Sequence, residues 1–133
     1  MNMRIPLLTA VFVLFPPLPP AAAQEKPATL PEARAAIESN LKTANGKHYD
    51  EQFGKEFLQK EGAALRQCKQ AANGDLRSFW ILLKLDKSGN VKQVLFSPAT
   101  KLAGCAREPL LTAAFSPPPS SGYWVSVYLQ LHH

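Results

Sequence analysis

The chain has 133 residues, 15 basic and 10 acidic, a formal net charge of +5, and two cysteines. That length fits one small domain. The positive charge is mild and scattered with no basic run, which excludes the clustered stripe that a nucleic-acid face needs.

Residues 1–4 carry a positive charge, residues 5–15 are almost wholly apolar, and the prolines of residues 16–20 interrupt that run. Ala21-Ala22-Ala23 then offers a small-residue cleavage site. This is the layout of a secretory signal peptide, residues 1–23, cut after Ala23. The alternative, a membrane anchor, needs a longer apolar run than the prolines leave. No membrane insertion is expected after cleavage, and no cysteine stands near the cut for lipid attachment. The expected location is the periplasm or the outside of the cell. The mature chain keeps 14 basic against 10 acidic residues, a net +4.

Residues 24–28 are polar and proline-containing and are expected to be disordered. Residues 29–133 then read as one domain. Thr29-Leu30-Pro31-Glu32 is a capping box, and Leu30, Ala33, Ile37 and Leu41 recur at helical spacing. Asn45-Gly46 is the expected stop. A second helical pattern starts near Asp50, with Phe53, Phe57, Ala64, Leu65, Cys68 and Ala72 on one face. Gly54 and Gly62 each cost about 1 kcal/mol relative to Ala, so a broken or bent helix is expected. Asn73-Gly74-Asp75 ends it.

Residues 79–96 read FWILLKL-DKSGN-VKQVLF, two β-prone runs around a short polar turn, which is a β-hairpin signature. Trp80 to Leu83 leave little polar surface, so the first strand is expected to be covered on both faces. Ser97-Pro98 reads as a helix start, and residues 99–114 follow with Leu102, Cys105, Ala106 and Leu110 inward. Pro109 removes the bond to the Cys105 carbonyl, so a kink or two short pieces is expected. Residues 115–122 are a loop stiffened by Pro117 to Pro119, read as a connector rather than a proline-rich ligand motif. Residues 123–131 alternate strictly and form the last strand, with Trp124, Ser126 and Tyr128 on one face.

Two cysteines in an exported chain suggest one disulfide, Cys68–Cys105, with two buried free thiols as the alternative. It would place both cysteine-bearing helices on one face of the sheet. No metal site is expected. The cysteines have no CxxC spacing and no nearby His, and His132-His133 alone is not a ligand set. No cofactor is expected, since no glycine-rich phosphate loop is present.

From Ser78 to Leu131 the order strand, Asp86-Lys87-Ser88-Gly89-Asn90-Val91 turn, strand ending Phe96-Ser97-Pro98, alanine-rich helix ending Ala113-Ala114-Phe115-Ser116-Pro117, and alternating last strand resembles the C-terminal domain of the TonB and TolA class of cell-envelope proteins. The resemblance implies an α+β fold of order α-α-β-β-α-β. A three-stranded antiparallel sheet would carry its helices packed on one face. It also implies a binding module that takes up envelope proteins, in part by adding a partner strand to a sheet edge. The chain departs from TonB proper in having no Pro-Lys or Pro-Glu spacer and in carrying paired cysteines. The expectation is therefore a free periplasmic relative that keeps the binding module.

The expected function is that of a non-enzymatic interaction domain for an envelope or periplasmic protein. Trp80, Trp124, Ser126 and Tyr128 are the candidate partner-binding residues, because aromatic residues are enriched at binding hot spots. The competing reading of these rings is burial under the first helix or a dimer partner. A homodimer closing the sheet edge is a second kind of partner. The alternative function is a periplasmic inhibitor or immunity-type protein that blocks a secreted hydrolase or toxin. An enzyme is not expected. Ser97, Ser120 and Ser121 lack an elbow motif, no Asp-His-Ser or Cys-His set forms around His48, and Glu51, Glu56 and Glu61 read as a solvated face.

Overall fold

The computed structural model describes residues 13–17 and 26–131. The expected signal peptide and its cleavage point lie outside the described residues, apart from residues 13–17, which form neither helix nor strand. His132-His133 also lies outside them.

The elements are α1 (Leu30–Asn40), α2 (Ala44–Ala71), β1 (Phe79–Leu85), β2 (Val91–Ser97), α3 (Lys101–Leu111) and β3 (Tyr123–Leu129). The three strands form one antiparallel sheet in the order β2-β1-β3. The fold is α+β in the order α-α-β-β-α-β. The hairpin β1–β2 is local, and β3 returns to the far side of β1, which becomes the central strand.

Each strand alternates its faces. Phe79, Ile81, Leu83 and Leu85 of β1 look one way, with Val94 of β2 and Tyr123 and Val125 of β3. They meet Phe53, Phe57 and Leu65 of α2 and Leu102, Ala106 and Leu110 of α3 in the main core. Leu82 and Trp124 look the other way and meet Ala33 and Ile37 of α1 in a smaller core. The inner face of β1 is therefore covered along its length, but on its outer face only Leu82 is buried: Lys84 is half-buried and Trp80 exposed, because α1 is too short to span that face, so the expectation of a strand covered on both faces holds only in part. The helices do not all lie on one face: α2 and α3 share one, and α1 straps the other. The reason is a three-residue corner, residues 41–43, between α1 and α2, which carries the chain around the end of the sheet.

Helix α1 starts on the predicted capping box, with Thr29 and Glu32 exchanging bonds. It ends at Asn40, before Asn45-Gly46. Thr43 caps α2, and its hydroxyl accepts from the Gly46 N–H at 2.9 Å. Gly46 is inside the helix because a Cβ there would collide with the Asn40 carbonyl. Helix α2 then runs 28 residues without a break. Gly54 has nothing near its missing Cβ, and Gly62 only the Arg66 guanidinium. The buried face of Phe53, Phe57, Leu65 and Cys68 holds the helix together across both glycines, as tertiary packing commonly overrides propensity.

Helix α3 begins at Lys101, not at residue 99, because Thr100 caps it and accepts from the Ala103 N–H at 3.1 Å. Pro109 lies in its last turn, so α3 is one helix; only the bond to the Cys105 carbonyl is forgone. Cys68 and Cys105 are joined, with Cα atoms 5.6 Å apart. Cys68 is buried but Cys105 is exposed rather than inward, so the bridge fastens the outer edge of the α2–α3 contact. Closing a loop of 37 residues contributes about 4 kcal/mol on a chain-entropy reckoning. Strand β3 ends at Leu129 rather than Leu131.

The hairpin turn is built on Asp86. Its carboxylate accepts from the Ser88 and Asn90 N–H groups, each at 2.9 Å, and Gly89 adopts φ 91°. The turn is pressed against the residues that follow α3. The Phe115 N–H donates to the Gly89 carbonyl at 2.9 Å and the Val91 N–H to the Ala113 carbonyl at 3.2 Å.

Candidate binding edge and groove

In an antiparallel sheet a residue's N–H and C=O point to the same side of its strand, and successive residues point to opposite sides. Two side-chain contacts fix that phase here. The Asn40 amide donates to the Trp124 carbonyl at 3.1 Å, so Trp124 turns its main chain away from β1. Ser126 and Tyr128 then do the same. Trp124 is the register partner of Lys84, and Lys84 of Gln93, so Val94 must turn its main chain outward on the other edge. It does: the Arg107 guanidinium of α3 donates to the Val94 carbonyl at 3.1 Å.

The two edges are therefore unequal. On the β2 edge Ala113 takes the Val91 N–H and Arg107 bonds the Val94 carbonyl and stacks over the Phe96 ring at 5.1 Å, so among its outward positions only the Phe96 main chain is left without a bond from outside the sheet. Asn40 covers the top of the β3 edge. Below it, among the described residues, nothing outside the sheet bonds the main chain of Ser126 or Tyr128. An uncovered edge of this kind is a template for another strand.

Helix α1 crosses the upper half of the outer face. Its approach is tied to β2, where Ala28 exchanges two hydrogen bonds with the Gln93 side chain at 3.1 and 2.8 Å. The chain is thus already held at the last residue of the stretch expected to be disordered. The Arg34 guanidinium reaches the Ser97 hydroxyl at 2.7 Å, and Asn40 ends the helix over β3. The lower half of the face stays open. There Trp80 and Tyr128, 43% and 47% exposed, lie with ring centroids 4.8 Å apart.

Between α1 and this aromatic pair runs a groove of about 390 Å³. Ile37, Leu41, Leu82 and Trp80 make it apolar. Arg34 and Glu38 stand on its α1 rim, and Ser126 lines it on β3, the strand whose lower edge is open. Of the four candidate residues, Trp80 and Ser126 line this groove, and Tyr128 stands outside it against the Trp80 ring. Trp124 is the exception: at 5% exposed, it is a core residue beneath α1. The residues missed by sequence reasoning are Ile37, Leu41, Arg34 and Glu38. Helical spacing had placed Ile37 and Leu41 on a core face, but no local pattern says that this face leaves a gap.

The other polar groups do structural work. The Tyr49 hydroxyl donates to the Ser116 carbonyl at 2.7 Å, and burial, with Glu56 and Tyr123 nearby, pushes its pKa up. Burial acts to raise Glu56, but hydrogen bonds from Lys60 and Ser116 outweigh it and hold the carboxylate below its usual range. Together these two residues anchor the proline loop to α2. His48 lines the cleft of about 890 Å³ beside that loop. Burial raises Tyr123, as does the nearby Asp50 carboxyl, and the buried Tyr123 hydroxyl has no hydrogen-bond partner among the described residues. Among the described residues, no three His, Cys, Asp or Glu side chains come together to hold a metal ion. No described helix is long and apolar enough to cross a membrane.

No protein-family model matches this chain, and neither a curated protein nor a solved structure matches it.

Proposed function

We propose that this chain is a non-enzymatic periplasmic interaction domain. It binds an envelope protein partly by strand addition along β3, as its resemblance to the TonB and TolA C-terminal domains implies. The observation that carries this reading is the inequality of the two edges. One is held at Val91 and Val94 by Ala113 and Arg107, and the other is open at two successive outward positions, Ser126 and Tyr128, beside an apolar groove. Added strands obtain affinity from the main chain and specificity from side-chain pockets. Here the groove would accept an apolar side chain and the Trp80–Tyr128 pair would flank it. The disulfide and the charged but unclustered surface are in keeping with an exported binding module.

The test is photo-crosslinking in the periplasm of the native host, with a photoreactive residue at Ser126 and a control at Phe96 on the opposite edge, beside Arg107. The expected result is capture of an envelope protein from position 126 and not from position 96, reduced by Trp80→Ala. Capture of a soluble hydrolase or toxin at 126 would establish the inhibitor function instead. Equal capture from both edges would remove the basis of the proposal.

A further inference from the structure

We propose that the hairpin-turn end of the outer face holds a phosphate group, gripped by Lys26, Lys84 and Lys92. The site is separate from the β3 edge and does not depend on how that edge is used.

The three lysines come from three separate stretches of chain, which is why no basic run marks them in the sequence. They meet around a cavity of about 610 Å³, together with Asp86, Ser121 and Gly122. Lys26 is placed by Ala28, two residues on, whose main chain is tied to the Gln93 side chain. Lys84 lies on β1 opposite Gln93 and runs its stem past Gly122, where a Cβ would come 3.6 Å from the Lys84 Cε. Lys92 is brought there by a bulge. Lys84 pairs with Gln93 and Leu85 with Val91, so Lys92 is the extra residue of β2 and has no register partner. Regular alternation from Val94 would turn Lys92 into the main core. Instead Val91 and Val94 both face that core, and Lys92 is exposed. Bulges re-aim side chains in this way.

The charges favour an anion. Three ammonium groups and one carboxylate line the cavity, a net +2. Asp86 offsets one charge, but its oxygens serve the turn. One accepts the Ser88 and Asn90 N–H groups at 2.9 Å, and the other accepts the Asn90 amide at 3.2 Å, with Lys92 further off at 3.6 Å. Lys84 has a contact of its own, so Lys26 and Lys92 supply the open donors and the Ser121 hydroxyl adds another. Donors converging from three directions suit the tetrahedral oxygens of a phosphate better than the two coplanar oxygens of a carboxylate. Lysine serves such a group as a point charge. The cavity is larger than one phosphate and of the size that takes a small molecule. The group is therefore the head of a phosphate ester, either a soluble one or a lipid headgroup. One concave spot without a stripe is in keeping with the absence of a nucleic-acid face.

The full chain, with its disulfide intact, is titrated with inorganic phosphate and followed by the amide resonances of Lys26, Lys84, Lys92 and Gly122. Sodium chloride of equal ionic strength is the control, because screening alone also affects exposed charges. The expected result is shifts that saturate with phosphate and do not appear with chloride. Lys26→Gln and Lys92→Gln should each weaken binding by up to about 5-fold, the worth of one exposed ion pair. Lys92→Glu should abolish it. Lys47→Gln, on α2 away from the cavity, should leave it unchanged. All three substituted lysines are exposed, so each variant should fold. The same proteins are then sedimented with vesicles of phosphatidylcholine, with and without phosphatidylglycerol.

Phosphate binding together with pelleting that needs phosphatidylglycerol and is lost in Lys92→Glu assigns the site to a lipid headgroup. Phosphate binding without such pelleting assigns it to a soluble phosphate ester. Shifts that do not saturate, that chloride reproduces, or that survive Lys92→Glu overturn the proposal. So does a loss of binding in Lys47→Gln as large as in Lys92→Gln, which would mark attraction to the chain's overall charge.

Discussion

Trp80 and Trp124 lie on the same face of the sheet and do different work. Trp124 fills the small core under α1, while Trp80 stacks on Tyr128 in the open. Trp124→Ala should cost about 3–5 kcal/mol in a urea titration, the range for emptying a buried aromatic site. Trp80→Ala should cost only about 1 kcal/mol, the worth of an aromatic pair, and should weaken binding instead. A second residue-scale effect belongs to Asp75. The Arg77 guanidinium bonds both of its oxygens, at 2.9 and 3.0 Å, and holds the carboxyl down to about 2. A folded pKa below the unfolded one gives a contribution present at neutral pH and lost as pH falls from the ordinary carboxylate range toward 2. Arg77→Met should flatten that part of the acid denaturation curve. The same pair is exposed, so high salt should shrink the difference between the two proteins.

Glycines within one helix make opposite predictions. Gly54 lies on α2 with open space around its missing Cβ, so Gly54→Ala should stabilise by about 1 kcal/mol, the helix-propensity difference. Gly46 abuts the Asn40 carbonyl, so Gly46→Ala should destabilise and loosen the α1–α2 corner. Thermal melts of the two variants, moving in opposite directions, check both. The sequence carries the kinds of signal that make elements but not those that make corners. The capping box at Thr29, the hairpin around Asp86 and the alternation of β3 are local patterns, the Cys68–Cys105 pairing follows from there being only two cysteines, and all are present in the structure. Asn45-Gly46 reads as a helix stop because its composition is that of a turn. The glycine is needed instead for a close approach by a carbonyl six residues earlier, which no spacing rule reports. Period-two alternation likewise puts Trp80, Trp124, Ser126 and Tyr128 in reach of one another. Which of them α1 covers depends on Gln93, Ser97 and the Trp124 carbonyl holding the helix at its two ends. Those contacts span 63 to 84 residues of sequence.

Taken whole, the molecule has two cores of unequal size. The larger, under α2 and α3, is reinforced by the disulfide; the smaller holds α1 with Ala33 and Ile37 fully inward and Leu30 and Leu41 at its margin. One fully buried aliphatic side chain is worth about 1.5–3 kcal/mol. Helix α1 should therefore open by itself at a few kcal/mol, below global unfolding. Hydrogen exchange should show α1 amides exchanging well before those of β1 and α2, and uniform protection would refute the division. The covalent connectivity follows the same line. The bridge between residues 68 and 105 encloses β1, β2 and the start of α3, while α1 and β3 lie outside it. A chain cut anywhere inside that ring stays one molecule, whereas a cut in the corner at residues 41–43, or in the proline loop, severs a wall of the groove. The crosslink makes the framework tolerant of damage and leaves the groove and the β3 edge as the part that a cut chain can lose first.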